Sequence, residues 1–102
     1  MHIVQILLPL YDQRSKRYER SAFDNIVQEL SERFGGATLY ARAPATGLWK
    51  ETSGQTQRDD IVVCEVMVET LDAQWWAGYR HSLERTFGQE ELIVRSHECR
   101  RL

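Results

Sequence analysis

Four side chains with acid, base or hydrogen-bonding chemistry interrupt three apolar segments of the chain. Gln5 lies in HIVQILLP, Glu65 in IVVCEVMV, and Arg95 and His97 in ELIVRSHEC. If these segments are neighbouring strands, the four side chains form a polar cluster. Glu65 is then a candidate general base, provided that burial raises its pKa, and His97 a candidate proton relay. The alternative is a Glu65–Arg95 ion pair that stabilises a subunit interface, or a partly solvated polar stripe, because structural ion pairs perturb pKa values too.

A second group of candidates, Tyr40, Arg42 and Trp49, lies in the stretch ATLYARAPATGLWK. The two aromatic rings offer stacking surface and Arg42 offers an anion partner, so the three can line a ligand pocket. Trp and Tyr are also typical interface anchors, so Trp49 can instead hold its loop or contact a second subunit. The candidate ligand-binding residues are therefore Gln5, Tyr40, Arg42, Trp49 and Arg95, and the candidate catalytic residues are Glu65 and His97.

Metal and cofactor chemistry finds no support in the pattern of residues. His2, His81 and His97 lack metal-ligand spacing, and Cys64 and Cys99 form no CxxC pair. Nucleotide-binding glycine motifs and the GxSxG nucleophile motif do not occur. We therefore predict no metal, no cofactor and two free thiols, with Cys64 filling the core.

The overall composition narrows the class of protein. The 102 residues suit one domain, and 42% hydrophobic and 27% charged residues are ordinary for a globular chain. A net charge of −2 does not suggest nucleic-acid binding. No apolar run reaches the roughly 18 residues that a membrane span needs, and MHIVQILLPL lacks the features of a signal peptide. We expect a cytoplasmic protein without nucleic-acid or membrane partners.

Six elements follow from the periodicity and the turn residues. HIVQILLP, ATLYARA, DIVVCEVMVE and ELIVRSHEC are predicted strands, and TGLWKETSGQ suggests a small hairpin. SAFDNIVQELSERFGG is a predicted helix with Ser21 as its N-cap, ended by Gly35. LDAQWWAGYRHSLERTFG is a second helix, capped by Asp72 or Thr70 and ended by Gly88.

The order β-α-β-β-α-β predicts a single α+β domain over residues 1–102 with the ferredoxin-like fold. This fold has a four-stranded antiparallel sheet of order 4-1-3-2 with both helices on one face. Strand alternation assigns an apolar set to the face under the helices. The open face then carries polar groups from every strand together with the apolar side chains Ile3, Leu7, Ile61, Val63, Met67 and Ile93. An apolar face of this size should be covered, and a second copy of the chain is the simplest cover.

The element order, the half-apolar open face and the stretch RFGGATLYARAPATGLWK…DDIVVCEVMV resemble small bacterial ferredoxin-like proteins of the dimeric α+β barrel type. The resemblance implies a homodimer that pairs sheet to sheet. The group includes small monooxygenases and isomerases, but no catalytic motif of theirs is matched here, and fold analogy does not supply a function. Two hypotheses follow. The first is a homodimeric structural or interaction protein, and the second is a small enzyme or small-molecule-binding protein with its site on the open face.

Overall fold

The computed structural model describes residues 1–42 and 61–102. Its elements are strand β1 (His2–Pro9), helix α1 (Arg20–Phe34), strand β2 (Thr38–Arg42), strand β3 (Ile61–Val68), helix α2 (Ala73–Thr86) and strand β4 (Ile93–Glu98). The expected hairpin TGLWKETSGQ, and Trp49 within it, lie outside the described residues.

The four strands form one antiparallel sheet in the order β2-β3-β1-β4. This is the predicted order 4-1-3-2 read from the other edge, so the ferredoxin-like βαββαβ fold is confirmed. β1 and β3 are central strands, and β2 and β4 are the edges. The register places Gln5 opposite Glu65 on one side and opposite Arg95 on the other.

The core lies between the helices and one face of the sheet. Alternate residues of β1 (Val4, Ile6 and Leu8) are buried there, as the period of two predicts. Both helices contribute to the same cluster through their apolar stripes, which include Phe23, Ile26, Leu30, Trp76, Leu83 and Phe87. Because both stripes join one cluster with this face of β1, the two helices cover the same side of the sheet.

The ends of the two helices confirm some of the predicted capping and terminating residues and contradict one of them. α2 is capped as predicted, since the Asp72 side chain accepts a hydrogen bond from the Trp75 backbone N–H at 3.1 Å. Gly35 ends α1 with a φ of 86°, a left-handed conformation that favours glycine. The prediction of Ser21 as N-cap is wrong, because α1 begins at Arg20 and its N-cap is Glu19, whose side chain makes no capping bond.

Three further positions test the assignment of side chains to faces. Cys64 is fully buried on the helix side and both cysteines are free thiols, as expected. Alternation also assigns Ala41 to the face under the helices, but Ala41 is exposed on the edge strand β2. Val63 points to the open face but is only 2% exposed, and its neighbours in register are Tyr40 and Leu7. Part of the open face is therefore already covered within the single chain.

Candidate functional site on the open sheet face

A chain of hydrogen bonds crosses the open face from one edge of the sheet to the other. Arg95 on β4 donates from Nε to Gln5 Oε1 at 2.9 Å, and Gln5 on β1 donates from Nε2 to Glu65 Oε1 at 2.6 Å. Tyr40 on β2 donates its hydroxyl to the same Glu65 oxygen at 2.7 Å. We call Arg95, Gln5, Glu65 and Tyr40 the polar row. It joins four of the side chains that the sequence singled out.

The row forms because of the strand register. Arg95, Gln5 and Glu65 are direct partners across β4, β1 and β3, so their side chains stand side by side on one face. Tyr40 is opposite Val63, two pairs along the β2–β3 register from the Thr38–Glu65 pair, and its long side chain reaches the carboxylate diagonally. The residue directly opposite Glu65 on β2 is Thr38, an exposed side chain that the sequence analysis did not select, although its alternation with Tyr40 places it on this face.

The surroundings of Glu65 lower its pKa. The largest cause is the hydrogen bond from the Gln5 amide, followed by the bond from the Tyr40 hydroxyl, and the positive potential of His97 adds to them. Partial burial acts in the opposite direction but is outweighed. The condition for a general base, a pKa raised by burial, is therefore not met. Glu65 is a carboxylate that stays ionised at neutral pH.

Glu65 holds its negative charge without a direct cationic partner among the described residues. Both of its hydrogen bonds come from neutral groups and both end on Oε1, so no described side chain donates to Oε2. The expected Glu65–Arg95 ion pair does not form in the described part of the chain, because Gln5 stands between the two charges. The row thus fixes Oε1 of Glu65 and leaves its Oε2 without a described donor on the open face.

Apolar side chains flank the polar row on both sides. In register, Ile3 and Met67 lie on one side of Gln5 and Glu65, and Leu7 and Val63 on the other. Met67 and, on β4, Ile93 are 49% and 54% exposed, and Tyr40 is 40% exposed. The face is therefore an apolar surface with one line of hydrogen-bonding groups through it.

Three of the predicted site residues, His97, Arg42 and Trp49, do not belong to the polar row. His97 is exposed on β4, where its register partner is Ile3, and it acts on Glu65 through its charge. Arg42 ends β2 opposite Ile61, and Trp49 lies outside the described residues. Of the three residues expected to line a pocket together, only Tyr40 has a described side-chain contact, and that contact is its hydrogen bond to Glu65.

Within residues 1–42 and 61–102, no three His, Cys, Asp or Glu side chains are grouped as metal ligands would be. Neither α1 nor α2 has the length and apolar character needed to cross a membrane.

Comparison with known proteins gives one structural likeness. No family model matches the chain, and no curated protein matches it. In structure, the chain is similar to a phage SAM lyase solved in complex with S-methyl-5'-thioadenosine, with a TM-score of 0.60. The sequence identity is 22%, over 95% of this chain and 80% of that chain. At this identity the likeness supports the shared α+β fold.

Proposed function

We propose that the open sheet face binds a small cationic molecule of the SAM class, a nucleoside that carries a sulfonium group, and that Glu65 is its charged anchor. The observation that carries the proposal is the state of the Glu65 carboxylate. Oε1 is fixed by Gln5 and Tyr40, the pKa is lowered, and Oε2 has no hydrogen-bond partner among the described residues.

Glu65 is suited to bind a cation because the two groups that donate hydrogen bonds to it, the Gln5 amide and the Tyr40 hydroxyl, are neutral. A carboxylate paired with Arg or Lys has its charge compensated, whereas one held by an amide and a hydroxyl keeps its full charge. Near a protein surface, two opposite unit charges 4 Å apart interact by about 4 kcal/mol at an effective dielectric constant of about 20. A bound cation beside Oε2 would gain the part of this attraction that solvent does not screen, without breaking the row.

The apolar part of such a ligand also has a surface to contact. The Tyr40 ring and the exposed Met67 side chain flank Glu65, and Tyr40 is fixed by its own hydrogen bond. Aromatic rings and methionine thioethers pack well against planar heterocycles such as a nucleobase. The arrangement of one charge beside apolar surface is that of a small-molecule site.

The structural neighbour supports the nucleoside part of the ligand, since the molecule that it holds is a neutral thioether nucleoside and only SAM, in its name, carries the sulfonium. It is a SAM lyase that holds S-methyl-5'-thioadenosine, and this chain shares its fold along nearly its whole length. A fold hosts many functions, so the class of ligand comes to this chain as a proposal that the Glu65 environment favours.

The test is a titration of the isotope-labelled protein with SAM, followed by NMR. We expect saturable shifts of the β1 and β3 amides near Gln5 and Glu65, and binding weaker by at least about tenfold in Glu65→Gln, which keeps the shape but removes the charge. Glu69→Gln is the matched control, because Glu69 is exposed just beyond β3. Absence of saturable shifts on the open face, or equal binding by Glu65→Gln, would overturn the proposal.

A second candidate function is self-association through the same face, as in a homodimeric interaction protein. The observation in its favour is the exposure of two large apolar side chains, Met67 and Ile93, on one face of the sheet. Gln5 and Tyr40 are already hydrogen-bonded to Glu65 within the single chain, whereas Glu65 Oε2 would need a donor from the second copy. Two copies that meet sheet to sheet would enclose Glu65 between them.

Sedimentation velocity tests the association. We expect a dimer for the unmodified protein at micromolar concentration and a monomer for the double variant Met67→Lys, Ile93→Lys, because two buried ammonium groups would oppose the contact. Gln28→Lys, an exposed change on α1, should leave the dimer intact. A monomeric unmodified protein would refute the association and leave the ligand proposal standing.

A further inference from the structure

A groove lies on the helix side of the sheet, between α2 and the edge strand β4, away from Glu65. Its volume is about 180 Å³. Its apolar walls include Leu71, Trp76 and Val94. The lining also includes Ala77, Ser96 and Arg80. An engineered apolar cavity of about 150 Å³ holds benzene, so the groove has room for one substituted aromatic ring.

The groove has a positively charged side chain, Arg80, in its lining. Among the described residues that line it there are two arginines and no carboxylate. The second arginine, Arg95, donates from Nε to Gln5 on the open face, so its guanidinium belongs to the polar row. Arg80 is therefore the arginine of the groove that the polar row does not hold.

Arg80 is poorly satisfied by its own neighbours. Its Nε is shielded from solvent and has no hydrogen-bond partner among the described residues. Its nearest carboxylate oxygen, Glu84 Oε2, is 4.0 Å from Nε, and this oxygen already accepts the Leu92 backbone N–H at 2.9 Å. The other Glu84 oxygen, Oε1, lies 3.0 Å from His81 Nδ1. Glu84 thus makes its hydrogen bonds elsewhere and keeps only a long ion pair with Arg80, while 35% of the Arg80 side chain remains exposed.

We propose that the α2–β4 groove binds a small organic carboxylate with a flat apolar body, of about the size of benzoate, and that Arg80 binds the carboxylate. A guanidinium offers five N–H donors in a fork that matches a carboxylate, and charge-assisted bonds of this kind are the strong ones. The indole of Trp76 and the side chains of Leu71 and Val94 would contact the ring. This site does not depend on the ligand proposed for Glu65.

The experiment is a titration of the labelled protein with sodium benzoate, followed by NMR, with benzyl alcohol as the uncharged probe. We expect saturable shifts of the Trp76 indole and the Val94 and Ser96 amides with benzoate, and about tenfold weaker effects with benzyl alcohol. Arg80→Gln should weaken benzoate binding by a similar factor. Arg85→Gln, at an exposed position on the same helix, should not.

A second variant keeps the proposal testable if Arg80→Gln disturbs the helix. Ala77 lines the groove and is exposed, so Ala77→Leu should narrow the groove without entering the core and should reduce benzoate binding. Benzoate shifts that persist unchanged in Arg80→Gln and Ala77→Leu would overturn the proposal. So would shifts confined to Gln5 and Glu65 on the open face.

Discussion

The side chains around Glu65 determine what this carboxylate can do. A carboxylate that acts as a base needs surroundings that favour its protonated form, and Gln5 and Tyr40 favour the ionised form instead. Sequence alone suggested a base because Glu65 sits in an apolar strand. The register that brings an amide and a phenol to one of its oxygens could not be read from local pattern, since it depends on how three strands pair.

The first prediction concerns the pKa of Glu65. We expect a value below the ordinary 4.5 in the unmodified protein, and a rise in both Gln5→Leu and Tyr40→Phe, larger for Gln5→Leu because its amide is the main cause. Since the folded-state pKa is the lower one, the stabilisation by Glu65 is present above pH 4.5 and is lost as the pH falls through the folded-state value. NMR titration of the side-chain carboxyl measures this pKa. A value at or above 4.5 in the unmodified protein would contradict the account.

A second prediction at the residue scale concerns the two thiols. Burial, with a contribution from the negative charge of Glu65, raises the pKa of Cys64 to about 11. Because the thiolate is the reactive form, iodoacetamide at pH 8 should alkylate Cys99 in the folded protein and leave Cys64 unmodified. Intact-mass spectrometry should show one adduct in buffer and two in denaturant. Equal rates for the two thiols in the folded state would show that Cys64 is not protected.

At the scale of elements, the two helices differ in how they begin. Asp72 caps α2 through its side chain, whereas Glu19 precedes α1 without a capping bond. The cap of α2 at Asp72 was predicted correctly, whereas the cap of α1 was wrongly predicted at Ser21. A capping residue is recognised by its type, but the choice between neighbouring candidates depends on the path of the incoming chain. Here the backbone N–H of Tyr18 donates to the Leu10 carbonyl just before α1.

This difference gives a matched pair of substitutions. Asp72→Ala should lower the free energy of unfolding by about 1 kcal/mol, the usual cost of losing an N-cap side chain. Glu19→Ala should have a much smaller effect, because no capping bond is lost. Urea denaturation followed by circular dichroism measures both. If the two variants were destabilised equally, the Asp72 bond to Trp75 N–H would not be the cause.

At the scale of the whole molecule, the fold could be predicted and the site only in part. The order β-α-β-β-α-β was enough to predict both helices on one face of the sheet, and alternation in β1 and β3 assigned the buried apolar side chains to that face. The same alternation placed Gln5 and Glu65 on the other face. It did not predict that Val63 is buried within one chain, because alternation assigns a residue to a face but does not say whether that part of the face is covered.

The sheet order has its own measurable consequence. Within residues 1–42 and 61–102, β1 and β3 are paired on both sides, whereas β4 is paired on one side only, and amides of edge strands open more readily. Hydrogen exchange followed by mass spectrometry should therefore show slower exchange in His2–Pro9 and Ile61–Val68 than in Ile93–Glu98. Exchange of β4 as slow as that of β1 would require an additional partner for its free edge.

The central claim is that the open face recognises a positive charge through Glu65. Calorimetric titration of the unmodified protein and of Glu65→Gln with SAM and with its neutral thioether counterpart, S-adenosylhomocysteine, tests it most directly. We predict that the unmodified protein prefers the sulfonium by about tenfold or more and that Glu65→Gln loses this preference while the affinity for the thioether changes little. Equal affinity of the unmodified protein for both compounds, or a preference that survives in Glu65→Gln, would contradict it.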